Sequence, residues 1–183
     1  MKLMFISDIH GSFYYANKAI ENFEKEKAHK LIILGDILYH GPRNDLPKEY
    51  NPKKVIKLLN SYKNKIVAVR GNCDAEVDQM VLEFPIRSDY ATIDIDNHHF
   101  FLTHGHLFDE ENLPNLNEKD IFVYGHIHKP VMKKENNIYI INPSSISLPK
   151  EGNNSYGIYE NDQFLIKEFD GKIVNKIRFE KAI

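Results

Sequence analysis

Aspartate, asparagine and histidine side chains recur in this sequence at positions that directly follow short apolar runs. The first case is Asp8 and His10, which come after the apolar run at residues 3–6. In an extended backbone, side chains two residues apart point the same way, so this carboxylate and this imidazole are expected to lie together. Such a pair supplies half of a divalent-metal site, although a D-x-H motif alone more often marks a turn.

The same arrangement follows four further apolar runs. The residues concerned are Asp36, Asn72, His104, His126 and His128. Ligands in α/β sheets bind beyond the carboxyl ends of the strands, so all of these side chains are expected to converge if the strand ends do. Together with the first pair they are too many for one first-row ion, but they fit two ions that share a carboxylate. The mixed oxygen and nitrogen set favours Mn, Fe, Ni or Zn over Ca or Mg.

A pair of divalent ions has a characteristic chemistry. Two ions about 3.5–4 Å apart generate a hydroxide and hold a phosphoryl group for in-line displacement. The residue types therefore indicate phosphoryl chemistry.

The apolar runs also predict the elements that must position these side chains. In the first half of the chain, the predicted strands lie at residues 3–6, 31–34 and 66–69. Two predicted helices separate them, one capped by Ser12 and ending near Lys27, the other opened by Asn51 and Pro52. A strand, a helix and a strand in so little space predict parallel pairing.

The second half of the chain is predicted to be mostly β, after a short helix at residues 75–83. The predicted strands lie at residues 91–96, 99–103, 121–124 and 138–141, with three alternating runs within 155–179. The first two form a hairpin, and the last three form an antiparallel meander. This order predicts two sheets packed together with helices outside.

Length and composition indicate a single domain over residues 1–183. The 24 basic and 26 acidic residues give a net charge of −2, so neither a membrane nor a stable nucleic-acid complex is expected as partner. The single cysteine, Cys73, excludes an intramolecular disulfide and suits a reducing compartment. With no signal peptide or membrane-spanning run, the sequence predicts a cytoplasmic protein.

The motifs at the strand ends carry a family resemblance. D-x-H at 8–10, G-D at 35–36, G-N at 71–72, histidine 104 and G-H-x-H at 125–128 follow the order of the calcineurin-like metallophosphoesterases. The segments HGPRN at 40–44 and GNCD at 71–74 resemble the YfcE-type phosphodiesterases within that superfamily. The resemblance implies a four-layer αββα sandwich, with two mixed β-sheets packed face to face and helices outside.

The resemblance also implies the metal ligands and the reaction. The implied ligands are Asp8, His10, Asp36 and His128 for one ion, and Asp36, Asn72, His104 and His126 for the other. The shared carboxylate is Asp36, and the two ions are expected to be Mn²⁺, with Fe, Ni and Zn as alternatives. The expected reaction is hydrolysis of a small phosphodiester by in-line attack of a metal-bridging hydroxide. A homodimer or homotetramer is also expected.

Four residues are candidates for direct action on the substrate: Asn72, Cys73, His40 and Arg43. Most members of the broad superfamily have histidine in place of Cys73, where it protonates or stabilises the leaving oxygen. A thiol is a poorer acid near neutral pH, with a reference pKa of about 8.5, so substrates with good leaving groups should be favoured. The alternative is that Cys73 only packs under the loop.

The other two candidates lie in the loop after Asp36. Arg43 can grip a phosphate oxygen, and His40 can hydrogen-bond the nucleophile or a metal ligand. The alternative is a solvated loop with a structural arginine. Of the remaining histidines, His106 is interpreted as a supporting or loop residue, and the surface is expected to hold His29, His98 and His99.

Two other functions compete with a phosphodiesterase. One is a phosphomonoesterase or nucleotide phosphatase on the same metal centre, against which the presence of Cys73 weighs. The other is a non-catalytic scaffold resembling the retromer subunit of this fold. Loss of metal ligands would indicate such a scaffold, and retention of all seven predicted ligands favours catalysis.

Overall fold

Two β-sheets lie face to face in the computed structural model, which describes residues 1–180. The first contains β1 (Leu3–Ile6), β2 (Lys30–Ile33), β3 (Ile66–Ala68), β9 (Ser155–Glu160), β10 (Gln163–Glu168) and β11 (Ile173–Arg178), in the order β11-β10-β9-β1-β2-β3. The second contains β4 (Tyr90–Ile95), β5 (His98–Thr103), β6 (Ile121–Val123), β7 (Pro130–Glu135) and β8 (Ile138–Pro143), in the order β4-β5-β6-β8-β7. Both sheets are mixed, which confirms the predicted fold class.

The predicted domain ends at residue 183, so its last three positions lie outside the described residues. Strands β1, β2 and β3 pair in parallel, as the βαβαβ order predicted. In the second sheet, β5, β6 and β8 also pair in parallel.

Two helices cover the outer face of the first sheet. Helix α1 (Phe13–Glu26) is capped by Ser12, whose side chain accepts a hydrogen bond from the Tyr15 amide. Helix α2 (Pro52–Asn60) is capped by Asn51, with proline in its first turn. Both predicted helices are therefore confirmed. No helix within residues 1–180 has the length and apolar character needed to cross a membrane.

Side-chain alternation along β1 divides the core into two layers. Leu3 and Phe5 face the second sheet, whereas Met4 and Ile6 pack beneath the helices. The layer between the sheets also contains Ile32, Leu34, Phe100, Leu102, Ile121, Val123, Tyr139 and Ile141. Because both faces of β1 and β2 are buried, their sequences are continuously apolar rather than alternating.

The second sheet differs in detail from the sequence prediction. Its outer face, which includes Phe101 and Phe122, is covered by Phe108 and Leu113 from a segment in which the structure has no helix. Strand β7 was not predicted, and the helix predicted at 75–83 is a 3₁₀ turn over Glu76–Met80. The predicted hairpin is confirmed, with Ile95 opposite His98.

The interpretation of His98 as a surface residue was wrong. Its side chain is buried, and its Nε2 lies 3.0 Å from Oδ1 of Asp162 in the β9–β10 turn. The rings of Tyr159 and Phe179 pack edge-on against it. His98 therefore links the two sheets, while His29 is exposed as expected.

An ion-pair cluster ties the end of α1 to the first sheet. Glu26 accepts hydrogen bonds from Lys2 Nζ and Tyr156 OH, each at 3.2 Å, and it also pairs with Lys167. Burial alone raises the pKa of Glu26, but Lys167 and Lys2 outweigh burial and hold the pKa below its ordinary value. A depressed carboxyl pKa stabilises the fold above the unfolded value, and this stability is lost as pH falls through the folded value.

We expect Glu26→Gln to lower the free energy of unfolding by about 1–3 kcal/mol at neutral pH, because it leaves Lys167 without its carboxylate and leaves Lys2 paired with Glu160 alone. The difference from wild type should shrink as pH falls below 4.5, the ordinary pKa of the carboxyl. Urea unfolding at neutral and acidic pH measures both effects. The exposed Glu21 on the same helix gives the control, since Glu21→Gln should change stability by less than about 0.5 kcal/mol. An equal loss at both pH values contradicts the account.

Candidate metal centre

The carboxyl ends of β1 and β2 remain paired beyond the strands themselves. The Asp8 amide donates to the Gly35 carbonyl at 3.2 Å, and the His10 amide donates to the Asp36 carbonyl at 2.9 Å. These bonds hold the two loops side by side. The loops after β3, β5 and β6 reach the same place, because Asn72 lies 3.1 Å from His104 and the His126 amide donates to Asp8.

The backbone turns sharply at these strand ends. Five site residues have left-handed φ angles, namely Asp8 (55°), His10 (49°), Asp36 (55°), His126 (69°) and His128 (58°). Aspartate and histidine tolerate this region better than most residues, but each position still costs about 1 kcal/mol or more. Ordinary turns elsewhere in the chain also have left-handed residues, but five at one edge of the sheets support a functional site there.

One group of candidate ligands combines Asp8, His10 and His128. Asp8 Oδ1 lies 3.2 Å from His128 Nε2 and 3.7 Å from His10 Nε2. The two imidazole Nε2 atoms are 3.3 Å apart. All three side chains are buried, so three donor atoms face one small volume.

A second group combines Asp36, His104 and His126, with Asn72 beside it. His104 Nε2 lies 3.4 Å from Asp36 Oδ2, 3.2 Å from His126 Nδ1 and 3.1 Å from Asn72 Oδ1. An acid, two imidazoles and an amide oxygen thus meet at the ends of four different strands.

The Asp36 carboxylate lies between the two groups. Its Oδ2 atom is 3.6 Å from His10 Nε2 and 3.4 Å from His104 Nε2. Its other oxygen, Oδ1, accepts a hydrogen bond from the Cys73 amide at 2.8 Å. One oxygen is therefore fixed by the backbone while the other faces both groups.

Backbone carbonyls orient three of the imidazoles. The Nδ1 atoms of His10, His104 and His128 lie 2.8, 2.7 and 2.7 Å from the carbonyl oxygens of Tyr39, Leu34 and Leu148. A carbonyl can only accept, so each Nδ1 carries a proton and each Nε2 atom faces inward, where it can ligate a cation. This arrangement is typical of histidines that ligate metal ions.

The electrostatics of the site favour positive charge. Burial alone would raise the pKa of Asp8, yet His10 and His128 hold it well below its usual value. Burial opposes a charge on His104, but the Asp36 carboxylate outweighs burial and raises the pKa of His104 to about 9. Burial and the neighbouring His104 lower the pKa of His126. The two buried carboxylates, Asp8 and Asp36, therefore stabilise positive charge between the strand ends.

The donor set fits divalent metal ions. Asp8 Oδ2 accepts from Ser7 Oγ at 2.6 Å and from the His126 amide at 3.0 Å, whereas the buried Asp8 Oδ1 has no hydrogen-bond partner among residues 1–180 and faces the imidazole Nε2 atoms. A buried carboxylate oxygen without a partner is costly unless a cation satisfies it. The inward Nε2 atoms supply the nitrogen ligands that Mn, Fe, Ni and Zn accept alongside oxygen.

Two glycines let the loops approach closely enough to form the site. A Cβ at Gly71 would overlap Oδ1 of Asp36, and a Cβ at Gly125 would overlap the Ser7 hydroxyl. These positions exclude every side chain, which explains the glycine before Asn72 and the glycine before His126.

Sequence reasoning missed the residues that hold the ligand loops. The Asp74 carboxylate accepts hydrogen bonds from the amides of Asp36 (2.8 Å), Ile37 (2.7 Å) and Gly71 (2.8 Å). Burial, with the nearby Asp36, raises the pKa of Asp74 despite these three bonds. The hydroxyls of Ser145 and Ser147 both donate to the Asp8 carbonyl at 2.8 Å. The motifs GNCD and NPSSIS contained the only available signal for them.

A cavity of about 830 Å³ opens over the candidate ligands. Its wall includes Arg43, Asn72 and Cys73 among the predicted substrate-contacting residues, and it does not include His40. The His40 ring instead packs edge-on against Tyr39 and Tyr50, with a buried Nδ1 that has no hydrogen-bond partner within residues 1–180.

His106 lies behind the second group rather than in the cavity wall. Its ring centroid is 5.5 Å from that of His104 and 6.4 Å from that of His126. This position agrees with a supporting role.

A second cavity, of about 770 Å³, lies at the opposite ends of β5 and β6. Its carboxylates are already engaged, since Asp94 pairs with His99 at 2.6 Å and Asp120 accepts from the Asn117 amide at 2.8 Å. It contains none of the candidate ligands, so the first cavity is the candidate active site.

Comparison with known proteins gives an independent view of the chain. The sequence profile of the calcineurin-like phosphoesterase superfamily domain matches residues 1–163. Phosphodiesterase YfcE of Escherichia coli strain K12 is 53% identical over 163 residues, covering 88% of this chain and 89% of the relative. Phosphodiesterase MJ0936 of Methanocaldococcus jannaschii is 29% identical over 153 residues, covering 78% of this chain and 82% of the relative.

Solved structures show the same architecture. The structure of Yfce, described as a phosphoesterase from E. coli, aligns with a TM-score of 0.96 and 48% identity, covering 98% of this chain and 100% of that chain. Vps29 of Entamoeba histolytica, solved with zinc, aligns with a TM-score of 0.60 and 18% identity, covering 98% of this chain and 100% of that chain. The second likeness shows the fold alone.

Proposed function

Because the chain belongs to the calcineurin-like phosphoesterase superfamily, we propose that it is a phosphodiesterase that uses two divalent metal ions. The proposed ligands are Asp8, His10, Asp36 and His128 for one ion, and Asp36, Asn72, His104 and His126 for the other. The observation that carries this assignment is Asp36 Oδ2, which lies within 3.6 Å of His10 Nε2 and 3.4 Å of His104 Nε2.

When bound, the ions would supply a hydroxide nucleophile and stabilise the negative charge that develops on the phosphoryl oxygens. Other groups of the chain position the proposed metal ligands. Backbone carbonyls fix the imidazoles of His10, His104 and His128, and the left-handed turns aim Asp8 and Asp36 inward. A rigid, buried site of this kind requires little reorganisation during the reaction. We propose Mn²⁺ as the metal, since oxygen and imidazole ligands without thiolate suit it.

A cysteine at position 73 supports a preference for diester over monoester substrates. Burial, together with the carboxylate of Asp36, raises the pKa of the Cys73 thiol to about 12. A thiol is in any case a poorer proton donor than an imidazolium near neutral pH, so Cys73 gives little help to a leaving oxygen. The relative that is 53% identical, Phosphodiesterase YfcE, is named for phosphodiesterase activity.

We expect Cys73→His to raise hydrolysis of an alkyl phosphate monoester at least about tenfold relative to the p-nitrophenyl diester, because an imidazolium can protonate a poor leaving group. Steady-state kinetics on both substrates measure the change. Cys73→Ser is the matched control, since it keeps the small side chain without adding an acid. If Cys73→His leaves both activities unchanged, the leaving-group account is wrong and the cysteine only packs under the loop.

Hydrolysis of bis-p-nitrophenyl phosphate and of p-nitrophenyl phosphate, with and without Mn²⁺, tests the proposed function. Metal-dependent cleavage that favours the diester supports it, whereas a preference for the monoester makes the chain a phosphatase. Metal binding without cleavage of either would favour the scaffold function. The catalytic role of His40, the oligomeric state and a cytoplasmic location stay predictions.

A further inference from the structure

The cavity over the candidate metal centre carries more positive charge than a simple diester requires. Besides the ligands, its charged wall residues are Arg43, Lys129, Lys150 and the half-buried Asp74. The three hydrogen bonds that Asp74 accepts from backbone amides engage both of its carboxylate oxygens. The other three residues are exposed cations that face the substrate volume.

Two of these cations have no counter-ion among the residues that the structure describes. Lys129 Nζ lies 2.5 Å from Oε1 of Glu151. Within residues 1–180, neither Arg43 nor Lys150 forms an ion pair. Both are nonetheless held near the site. The Asn44 side chain, next to Arg43, donates to the His40 carbonyl at 2.8 Å, and the Lys150 amide donates to the His128 carbonyl at 2.8 Å.

When the charges of the metal-loaded site are added, Arg43 and Lys150 are not needed to neutralise a simple diester substrate. Two divalent ions carry four positive charges. The carboxylates of Asp8 and Asp36, a hydroxide and the single negative charge of a diester already balance them. A further anionic group on the substrate would use Arg43 and Lys150.

Size and shape agree with a larger, charged substrate. A cavity of about 830 Å³ lies toward the upper end of the range for small-molecule sites, about 300–1,000 Å³, and exceeds the needs of one phosphate. The wall also includes Tyr39, a residue that is 43% exposed and whose carbonyl oxygen lies 2.8 Å from His10 Nδ1. An exposed aromatic ring beside a phosphate site offers a stacking surface for a base.

We infer that the substrate of this site is a phosphodiester that bears a second phosphate, with Arg43 and Lys150 binding that phosphate. The inference rests on the proposed function, because it places the scissile diester on the metal centre. It refines the expectation that Arg43 grips a phosphate oxygen, because it assigns that oxygen to the second phosphate and not to the one under attack.

Two thymidine esters with the same leaving group test this directly. Both are 5′-p-nitrophenyl phosphates of thymidine, and only one carries a 3′-phosphate. In the Mn²⁺-loaded enzyme, the 3′-phosphate should raise kcat/KM by about tenfold or more, mainly through KM, as expected for a charge-assisted contact. The ratio between the two substrates should fall toward one in Lys150→Met combined with Arg43→Met.

Further variants separate this role from others. Lys53→Met removes an exposed lysine from α2, outside the cavity wall, and should leave the ratio unchanged. Glu151→Gln frees Lys129 from its ion pair and should increase the ratio. If Arg43→Met lowers kcat/KM equally for both esters, Arg43 acts on the scissile phosphate and the inference is wrong for that residue. Cleavage of both esters with no gain from the 3′-phosphate overturns the inference while the proposed function stands.

Binding distinguishes the inference from a failure of catalysis. Calorimetry with thymidine 3′,5′-bisphosphate and thymidine 5′-monophosphate, on the Mn²⁺-loaded protein, needs no turnover. Tighter binding of the bisphosphate that is lost in the double variant supports the inference even if neither ester is cleaved, a result that would overturn the proposed function alone. Equal affinities overturn the inference.

Discussion

Replacing Asp36 by asparagine is expected to lower kcat/KM for bis-p-nitrophenyl phosphate by at least about 10³-fold. Asp36 Oδ2 faces both ligand groups, while Oδ1 accepts the Cys73 amide. Asparagine keeps the shape but loses the charge, and its amide group must point either at a backbone donor or at the imidazoles. Either orientation removes the shared carboxylate from the proposed centre.

Asp45→Asn is the control, because Asp45 is an exposed residue of the following loop and does not line the cavity. We expect this variant to keep wild-type kinetics within about twofold. Manganese content after dialysis should fall in Asp36→Asn and stay unchanged in Asp45→Asn. A loss of less than tenfold in Asp36→Asn would show that the two ligand groups do not depend on one carboxylate.

Asp74→Asn is expected to have the next largest effect, although Asp74 is not a proposed ligand. Its carboxylate accepts the amides of Asp36, Ile37 and Gly71 at 2.7–2.8 Å. Asparagine offers one oxygen in place of two, so at least one buried amide loses its acceptor and faces a second donor. We expect the free energy of unfolding to fall by about 2–4 kcal/mol and metal affinity to fall by about 10–100-fold.

Urea unfolding of the metal-loaded protein and calorimetric titration with Mn²⁺ measure these two effects. Asp78→Asn is the matched control, since Asp78 accepts a single amide, that of Ala75, at 2.9 Å in the exposed 3₁₀ turn. Its expected cost is about 1 kcal/mol, with unchanged metal affinity. If Asp74→Asn matches Asp78→Asn in both measurements, Asp74 does not hold the ligand loops.

Much of the site was predictable because its polar side chains directly follow the strands. Buried parallel strands have continuous apolar sequences, so the polar residue that ends each run is easy to locate. The rule that ligands bind beyond the carboxyl ends of strands then predicted their convergence. The structure brings Asp8, Asp36 and His104 together as this reasoning requires.

The parts that were missed depend on contacts between distant segments. Strand β7 reads PVMKKE, which begins with proline and ends with charges, as an edge strand does, and it forms only by pairing with β8. His98 is buried because Asp162, far along the chain, reaches it. Asp74 looks like an ordinary turn residue until the loop after β2 is placed against it. No local pattern encodes such pairings.

The most direct test of the two-metal account is the initial rate of bis-p-nitrophenyl phosphate hydrolysis as chelator-treated protein is titrated with Mn²⁺. The account predicts that the rate rises until two equivalents are bound per chain and then stays constant, with no response in Asp36→Asn. Full activity at one equivalent, or none at full metal occupancy, would contradict it.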